Sequence, residues 1–451
     1  MGFFSVFLFL ILCSFEKAII ALAATSPEPH LPPHTTHTVE VNSLLPATTC
    51  TPSTKGHTNN KASILEVVHK HGPCSIFHKS SKTSTTKTDD KYHAQILKQD
   101  EARVNSIHSR LNYRIHDPFT QSAASTTLPA KSGLPLGSAN YFVTVGLGTP
   151  AKQLSLEFDT GSDLTWTQCR PCLRSCYTQS EPIFDPSLSS SYKNLSCSSA
   201  TCTQLSSAGI PHRCSSASSS CLYGIRYGDG SFSIGDFAKE KLTLTSTDVF
   251  EGFLFGCGQD NEGLFYGTAA PPVISPSATE EAPLTASSSP SSPRYPKESR
   301  RLGLAGIKVG GSQLSIAPSV FSSSGTIIDS GTVITRLPAK AYAALRGAFR
   351  EAMKNYTLTK SFSLLDTCYN FSGYETVSYP KIAFMFGDGL TVDSDATGIF
   401  YVVSSSQVCL AFAGNKDDSD IGIIGNVQQK RLEVVYDVAG QKVGFAPASC
   451  P

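Results

Sequence analysis

Short runs of alternating apolar and polar residues dominate the chain after residue 140. Tyr141–Leu147 and Gln153–Phe158 each predict a strand, and Leu222–Tyr227 with Phe232–Leu244 predicts a long hairpin. A helix is predicted from Pro338 towards Met353. Further strands are predicted at Thr326–Asp329, Ile382–Phe386, Val408–Phe412, Gly422–Ile424 and Leu432–Asp437. The pattern therefore predicts an all-β chain in two similar halves.

The residues before 126 have another pattern. Phe3–Cys13 is apolar and precedes small residues around Ala23, which predicts a secretory signal peptide over residues 1–24. Residues 25–125 are interpreted as a propeptide with disordered flanks, containing a short strand at Ile64–His69. An organelle transit peptide is the alternative for the N-terminus. No later segment is apolar over a length that would predict a membrane helix.

A helix is predicted within this propeptide, from Tyr92 to Leu111. Ile96, Val104, Ile107 and Leu111 are spaced to share one of its faces. A structured segment between a signal peptide and a loose linker indicates a propeptide that covers a site until it is cleaved.

One short phrase occurs twice. Phe158-Asp159-Thr160-Gly161-Ser162 returns 170 residues later as Ile328-Asp329-Ser330-Gly331-Thr332. The repeat indicates two related lobes, each contributing one carboxylate to a shared site. Two adjacent carboxylates cannot both ionise freely, so one can act as a base while the other acts as an acid.

Composition excludes several other classes of function. The chain has 37 basic and 36 acidic residues, so no basic domain indicates nucleic-acid binding. No supported Ser-His-Asp or Cys-His arrangement indicates another hydrolase. Cys169-x-x-Cys172 lacks the second pair that a zinc site requires, so no metal and no cofactor are expected.

The cysteines favour an oxidising compartment, because such a number in a secreted chain predicts disulfides. Of 14 cysteines, one lies in the signal peptide and Cys50 and Cys74 lie in the propeptide. Eleven cysteines remain, and because this number is odd, at least one of them is expected to have no disulfide partner. The disulfide candidates are Cys169, Cys172, Cys176, Cys197, Cys202, Cys214, Cys221, Cys257, Cys368, Cys409 and Cys450.

Sequons at Asn194, Asn355 and Asn370 are glycosylation candidates. With the signal peptide they predict a protein secreted to the apoplast; the vacuole and the chloroplast are the alternative compartments.

The chain resembles the pepsin-like aspartic proteases, and more closely their plant nepenthesin-type branch, which includes proteins described as chloroplast-nucleoid DNA-binding-like proteases. The resemblance covers about residues 64–265 and 300–451. Its motifs are Leu65–Ser75, Asn140–Gly146, Phe158–Cys169, Tyr223–Ser231, Gly256–Gly258 and Ile307–Cys450.

The resemblance implies a bilobal all-β fold with an active-site cleft between the lobes. It divides the chain into an N-terminal protease lobe with a Cys-rich insert (138–268), a Pro/Ser-rich linker (269–299) and a C-terminal lobe (300–451). A monomeric endopeptidase acting on peptide or protein substrates is expected.

The resemblance also implies roles for individual residues. Asp159 and Asp329 would hold and activate a water at acidic pH. A cross-lobe pair of hydroxyls, from Thr160 and Ser330, would join the two loops. Gly161 and Gly331 would let the loops pack closely, and the outer hydroxyls of Ser162 and Thr332 would orient the carboxylates. A flap over the substrate would be formed by Tyr227, Gly228 and Asp229, with Trp166 donating a hydrogen bond to the tyrosine.

The linker departs from the family. Of the 23 residues from Pro271 to Pro293, thirteen are Pro or Ser, which predicts disorder. Relatives carry a strand here that supports the first aspartate loop, so we expect an incomplete N-terminal lobe and a loosened Asp159. The chain is then an aberrant splice product, or a protein of reduced activity. The alternative functions are an inactive binding protein or inhibitor on this scaffold, and a plastid nucleic-acid-binding protein, which the net charge disfavours.

Overall fold

The computed structural model describes the chain in segments that include most of both predicted lobes and parts of the propeptide. These are residues 36–45, 68–69, 86–112, 141–160, 162, 164–179, 181–207, 209–227, 231–246, 248–263, 273–274, 301–437 and 442–447.

The region before residue 126 contributes two strands and two helices. They are β1 (Thr36–Glu40), α1 (Val41–Leu44), β2 (Val68–His69) and α2 (Thr86–Asn112). The predicted helix is confirmed and begins six residues earlier than expected. The signal peptide lies outside the described residues.

The first lobe is built from eight strands that follow one another along the chain, two short helical segments and a short ninth strand, β11. The strands are β3 (Tyr141–Leu147), β4 (Lys152–Phe158), β5 (Trp166–Gln168), β6 (Lys193–Asn194), β7 (His212–Cys214), β8 (Cys221–Arg226), β9 (Phe232–Thr243), β10 (Val249–Glu262) and β11 (Val273–Ile274). The helical segments are a 3-10 turn (Pro186–Leu188) and α3 (Ala200–Ser207).

The second lobe has more strands and three helices. The strands are β12 (Arg301–Leu302), β13 (Leu304–Val309), β14 (Ser312–Gln313), β15 (Thr326–Ile328), β16 (Thr335–Leu337), β17 (Leu358–Thr359), β18 (Cys368–Tyr369), β19 (Thr376–Pro380), β20 (Ile382–Phe386), β21 (Thr391–Asp393), β22 (Phe400–Ser404), β23 (Gln407–Leu410), β24 (Phe412–Gly414), β25 (Gly422–Ile424), β26 (Leu432–Asp437) and β27 (Lys442–Pro447). The helices are α4 (Ser319–Ser322), α5 (Ala339–Ala352) and α6 (Ala396–Ile399).

The strands confirm an all-β, bilobal architecture. In the first lobe, a sheet runs in the order β11-β4-β3-β9-β10-β5, with β2, β6, β7 and β8 attached beside it. In the second lobe, the central sheet runs β12-β15-β25-β16-β24 and two four-stranded sheets pack around it. Separate apolar cores fill the two lobes, the first around Trp166, Tyr223 and Phe255 and the second around Phe349 and Phe400.

The same parallel strand pair leads into each aspartate loop. In the second lobe β15 pairs with β25, which places Ile328 opposite Ile424. In the first lobe β4 pairs with β11, which places Phe158 opposite Ile274. The expectation that β4 lacks a neighbouring strand here is therefore wrong at Val273–Ile274. These two residues favour β-structure, and they extend the sheet although they lie in a Pro- and Ser-rich stretch. The rest of the linker lies outside the described residues.

The described cysteines form five disulfides. Four join cysteines of the first lobe and one joins strands β18 and β23 of the second: Cys169–Cys257, Cys172–Cys176, Cys197–Cys214, Cys202–Cys221 and Cys368–Cys409. Ten of the eleven candidates lie in these disulfides, and Cys450 lies outside the described residues. The disulfides of the Cys-rich insert stabilise a serine-rich segment, which buries few large apolar side chains of its own.

The close packing of β9 on β10 predicts that Gly235 tolerates no side chain. A Cβ at Gly235 would lie 1.9 Å from the carbonyl oxygen of Cys257, so Gly235→Ala requires the strands to separate. We expect a loss of roughly 3 kcal/mol in the free energy of unfolding, measured by thermal unfolding. The control is Gly347→Ala in α5, where a Cβ meets nothing within 4 Å. That change should stabilise the protein by about 0.5–1 kcal/mol. Equal stabilities of the two variants would contradict the prediction.

Candidate active site

Two buried carboxylates lie side by side where the lobes meet. Asp159 directly follows β4 and Asp329 directly follows β15, and their side chains are 1% and 0% exposed. The parallel strand pairs described above fix the direction in which each chain enters its loop. The structure thus brings together the two carboxylates that the repeated phrase predicts.

The two loops are joined by a reciprocal pair of hydrogen bonds across the lobes. The amide of Thr160 donates to Oγ of Ser330 at 3.0 Å, and the amide of Ser330 donates to Oγ1 of Thr160 at 2.9 Å. The Ser330 hydroxyl in turn donates to the carbonyl oxygen of Phe158 at 2.9 Å. Each lobe therefore satisfies a buried amide of the other lobe, which fixes the distance between the loops.

A hydroxyl on each loop orients the carboxylate of that loop. Ser162 donates to Oδ2 of Asp159, and Thr332 donates to Oδ2 of Asp329 at 2.5 Å. The amide of Gly331 donates to Oδ1 of Asp329 at 3.0 Å. Donors to both oxygens favour the ionised form of Asp329.

Gly331 is required by the close approach of the other lobe. A Cβ at this position would lie 2.5 Å from Oδ1 of Asp159. Any larger residue would therefore push the two carboxylates apart. The predicted counterpart, Gly161, lies outside the described residues.

Tyr227 and the single tryptophan of the chain, Trp166, are in contact. Nε1 of the fully buried Trp166 donates to the hydroxyl of Tyr227 at 2.7 Å. Tyr227 lies at the end of β8, and burial raises the pKa of its hydroxyl above the usual value. Its phenol is therefore neutral in acid and at neutral pH. Gly228 and Asp229 lie outside the described residues.

A guanidinium group from helix α2 occupies the space between the carboxylates. Nη2 of Arg103 lies 2.5 Å from Oδ1 of Asp159 and 3.0 Å from Oδ1 of Asp329. Its Nε donates to Oδ2 of Asp329 at 3.0 Å. One nitrogen thus touches both carboxylates, which shows how closely they face each other. Only 18% of the arginine side chain is exposed.

These contacts change the protonation of both partners. Burial would raise the pKa of Asp329, but the Arg103 charge and the hydrogen bonds from Arg103, Thr332 and Gly331 lower it to about 2. Burial would likewise lower the pKa of Arg103, but the charges of Asp159 and Asp329 raise it well above its usual value. The site therefore holds an ionised Asp329 beside a permanently charged arginine.

Helix α2 packs mainly on the second lobe. Ile96 and Leu97 pack with Val333 and Ile334, and Val104 and Ile107 pack with Ile421 and Ile423 in a smaller cluster, so the apolar stripe faces the protein. Burial of Ile96, Val104 and Ile107 confirms the predicted face, and the side chain of Leu111 is not described.

Polar contacts at three points of the same helix accompany this packing. His93 contacts the hydroxyl of Tyr401 at 2.8 Å, and Nε2 of His108 lies 3.0 Å from the carbonyl oxygen of Ile421. Asp100 is wholly buried and contacts the strand that follows the Asp329 loop.

Sequence reasoning missed Arg103, Asp100 and His108. Each lies on the apolar stripe of α2, at helical spacing from Ile96, Leu97 and Val104. Charged residues inside an otherwise apolar stripe were the available signal. Asn426 was also missed; its side-chain amide donates to the carbonyl oxygen of Ser330 at 3.0 Å and so braces the second loop.

The remaining sequence candidates are on the surface. Asn194 and Asn355 are exposed, and Asn370 is partly exposed. Within the described segments, no cluster of three or more His, Cys, Asp or Glu side chains has a metal-binding arrangement. The same segments contain no helix that is both long and apolar enough to span a membrane.

Two family models match the chain on either side of the linker. The model described as "Xylanase inhibitor N-terminal" matches residues 141–270, and the one described as "Xylanase inhibitor C-terminal" matches residues 301–447. An aspartyl protease family protein of Arabidopsis thaliana is 50% identical over 92% of this chain and 93% of its own length.

The chain belongs to the pepsin-like aspartic protease family. Aspartyl protease AED1 of Arabidopsis thaliana is 47% identical over 92% of each chain. Aspartic proteinase nepenthesin-2 of Nepenthes gracilis is 33% identical over 78% of this chain and 85% of its own length. The resemblance found in the sequence is therefore confirmed. Neither matched range includes residues 271–300, where the sequence departs from this protease family.

The reciprocal bonds between the loops of this aspartic protease predict strong coupling between Thr160 and Ser330. Thr160→Val and Ser330→Ala each leave a buried amide without an acceptor, at an expected cost of about 1–3 kcal/mol in the free energy of unfolding. A double-mutant cycle followed by Trp166 fluorescence during urea unfolding should give a coupling energy above roughly 0.5 kcal/mol.

Thr167→Val is the matched control for this cycle. The hydroxyl of Thr167 is buried but has no hydrogen-bond partner among the described residues, so its loss should be neutral or stabilising. If the changes in the free energy of unfolding from Thr160→Val and Ser330→Ala simply added in the double variant, the two cross-lobe hydrogen bonds would not be coupled.

Proposed function

We propose that this protein is an aspartic endopeptidase, made as a secreted zymogen, in which Asp159 and Asp329 activate water. The observation that supports this most directly is the position of Arg103: a single nitrogen lies within hydrogen-bonding distance of both carboxylates. Two buried carboxylates that can share one nitrogen can also share one water molecule. When such a pair shares one proton, the ionised carboxylate can act as a base and the protonated carboxyl can act as an acid.

The reaction proceeds without a covalent intermediate. One ionised carboxylate takes a proton from the water as its oxygen attacks the carbonyl carbon of the peptide bond. The other carboxyl, which is protonated, gives its proton to the carbonyl oxygen. The resulting tetrahedral diol then collapses: one of its hydroxyl groups returns a proton to the carboxylate that had protonated the carbonyl oxygen, and the carbon–nitrogen bond breaks. The amine leaves with the proton that the other carboxylate had taken from the water. Ser162 and Thr332 keep the carboxylates oriented throughout, since each hydroxyl donates to an oxygen of its own aspartate.

The cross-lobe bonds and the flap supply the remaining requirements. Catalysis by a carboxylate pair requires the reacting groups to be held within about half an ångström of their productive positions. The Thr160–Ser330 pair provides this on the cleft floor, and β11 accompanies β4 into the Asp159 loop. Tyr227, bonded to Trp166, directly follows β8 and lies near enough to Asp159 to feel its charge, and it would help exclude water from the bound peptide.

Helix α2 supports the zymogen part of the proposal. Arg103 fills the position between the carboxylates that the water would take, so a chain with α2 in place cannot bind a peptide there. The helix precedes the first protease strand, so cleavage between residues 112 and 141 would break its direct covalent connection to that strand. The disulfides fit passage through an oxidising secretory compartment.

Acid should weaken the hold of α2 through Asp329 and His108. Arg103 depresses the pKa of Asp329 to about 2 while α2 is bound, and departure of the helix lets that pKa rise. The stabilisation of the bound form is therefore complete above the pKa of the open form and is lost as the pH falls towards about 2. Burial lowers the pKa of His108 in the bound form, so protonation below about pH 6.5 also favours release. Asp100 acts in the opposite direction, because its burial raises its pKa.

Loss of either dyad carboxylate should abolish peptide cleavage. Asp159→Asn and Asp329→Asn each remove the group that can cycle between base and acid, so we expect kcat at pH 4 to fall by at least roughly a thousandfold. Pepstatin-sensitive cleavage of a fluorogenic peptide after acid treatment is the measurement. Asp388→Asn, at an exposed loop, is the control and should leave kcat unchanged. Cleavage that survives both dyad substitutions would refute the proposed function.

Removal of the Arg103 charge should open the cleft at higher pH. We expect the pH at which half of the full-length chain binds pepstatin to rise by at least about one unit in Arg103→Gln. Arg103→Lys keeps the charge but loses the fork that reaches both carboxylates, and should give an intermediate shift. Lys98→Gln removes an equal charge from an exposed site on α2 and should have no effect. An unchanged pH profile in Arg103→Gln would show that Arg103 does not keep the cleft closed.

A further inference from the structure

Helix α2 inserts a second charged group into the protease, three residues before Arg103. The carboxylate of Asp100 is 0% exposed and accepts a hydrogen bond from the amide of Val333 at 2.6 Å. It also accepts from the amide of Ile334 at 3.3 Å and from Nη2 of Arg336 at 2.9 Å. Three donors thus form an anion-binding arrangement that the dyad does not involve.

The receptor for this carboxylate belongs to the wall of the cleft. Val333 and Ile334 continue the chain directly from the Asp329 loop into β16, and Arg336 lies in β16. The Arg336 side chain is 5% exposed, and its Nη1 donates to the carbonyl oxygen of Ile334 at 2.7 Å, which fixes the guanidinium in place. Among the described residues, Arg336 forms its ion pair with Asp100.

Departure of α2, on which the proposed function depends, leaves this receptor without its anion. A buried guanidinium and two amides that lose a carboxylate are strongly destabilised unless another acceptor takes its place. Because these two amides directly follow the Asp329 loop, a peptide bound at the dyad would lie close to them. We propose that Arg336 and the amides of Val333 and Ile334 form a subsite that selects an Asp or Glu side chain of the peptide substrate, and that Asp100 occupies this subsite in the zymogen.

The distance to the dyad limits where that acidic residue lies. Three residues of helix separate Asp100 from Arg103 by about 4.5 Å along the axis. A bound peptide in extended form advances about 3.3 Å per residue. The acidic side chain is therefore expected within about three residues of the bond that is cleaved.

Two other ionisable groups lie near the subsite. Nδ1 of His108 is 3.4 Å from Oδ2 of Asp420, and the Arg336 charge also acts on His108. His108 belongs to α2 and leaves with it, whereas Asp420 belongs to the second lobe and stays. If Asp420 turned towards Arg336 in the open protease, it would neutralise the subsite and no acidic preference would be observed.

The test compares matched peptides on the full-length chain after conversion by acid. Fluorogenic peptides carry Asp or Asn at each of three positions on either side of the cleaved bond and are assayed at pH 5, where a substrate Asp is ionised. At one position we expect kcat/KM to be at least about tenfold higher with Asp than with Asn. This preference should shrink as the pH falls below about 4, because the substrate carboxyl then takes up a proton.

Substitution of Arg336 assigns the preference to this residue. Arg336→Gln should make the Asp and Asn peptides equivalent while cleavage of a neutral reference peptide remains, and Arg336→Lys should retain part of the preference. If Arg336→Gln does not fold, the proposal is decided by the unsubstituted chain alone. The deciding measurements are its kcat/KM values for the Asp and Asn peptides and the pH dependence of their ratio. Asp420→Asn is the matched control and should preserve or increase the preference.

The outcomes separate this inference from the proposed function. Cleavage of neutral and acidic peptides at equal rates would overturn the subsite and leave the endopeptidase intact. Cleavage of no peptide would refute the endopeptidase, and the subsite would then be judged by fluorescence anisotropy of labelled Asp and Asn peptides. Binding that is tenfold tighter for Asp supports the subsite, and equal binding overturns it.

Discussion

Repulsion between two buried carboxylates is the constraint around which this structure is organised. Asp159 and Asp329 come from different lobes, and nothing in either lobe alone would keep them within reach of one common atom. The reciprocal bonds between Thr160 and Ser330 hold the loops together at the level of the backbone. Gly331 removes the side chain that would separate them. The cost of holding two like charges in the interior is offset in this form by one guanidinium, which comes from a third part of the chain.

That guanidinium ties the propeptide region to the chemistry of the cleft. An apolar stripe on α2 supplies most of the contact area, but apolar packing alone would hold the helix at any pH. Arg103 makes the contact depend on whether the carboxylates are ionised, and His108 adds a group that titrates nearer neutrality. The same helix surface therefore combines a constant attachment with a component that responds to acid.

Much of this could be predicted from the sequence. The strand patterns in the sequence predicted β3, β4, β8 and β9 in the first lobe and β15, β20, β23, β25 and β26 in the second, because each is a short run of β-forming apolar residues. The repeated phrase identified both aspartates, since local turn chemistry and a buried strand mark each copy. The contacts of Asp100 and Arg103 were out of reach, because they join positions more than 50 residues apart and depend on how α2 is rotated on the protein. Strand β11 was missed because its two residues pair through their backbone in a segment whose composition predicts disorder.

The first described segment before residue 126 has a consequence for how the proposed zymogen would open. Strand β1 pairs with β19 over five residues, and Val41 and Leu44 of α1 are buried in the second-lobe core. This attachment lies on the same side of any cut between residues 112 and 141 as α2 itself. A cut there would leave α2 tethered to the second lobe through β1 and α1, so its return would be intramolecular. Dilution would therefore not relieve inhibition promptly, and the lifetime of the β1–β19 pairing would set how long a nicked chain can return to its closed state.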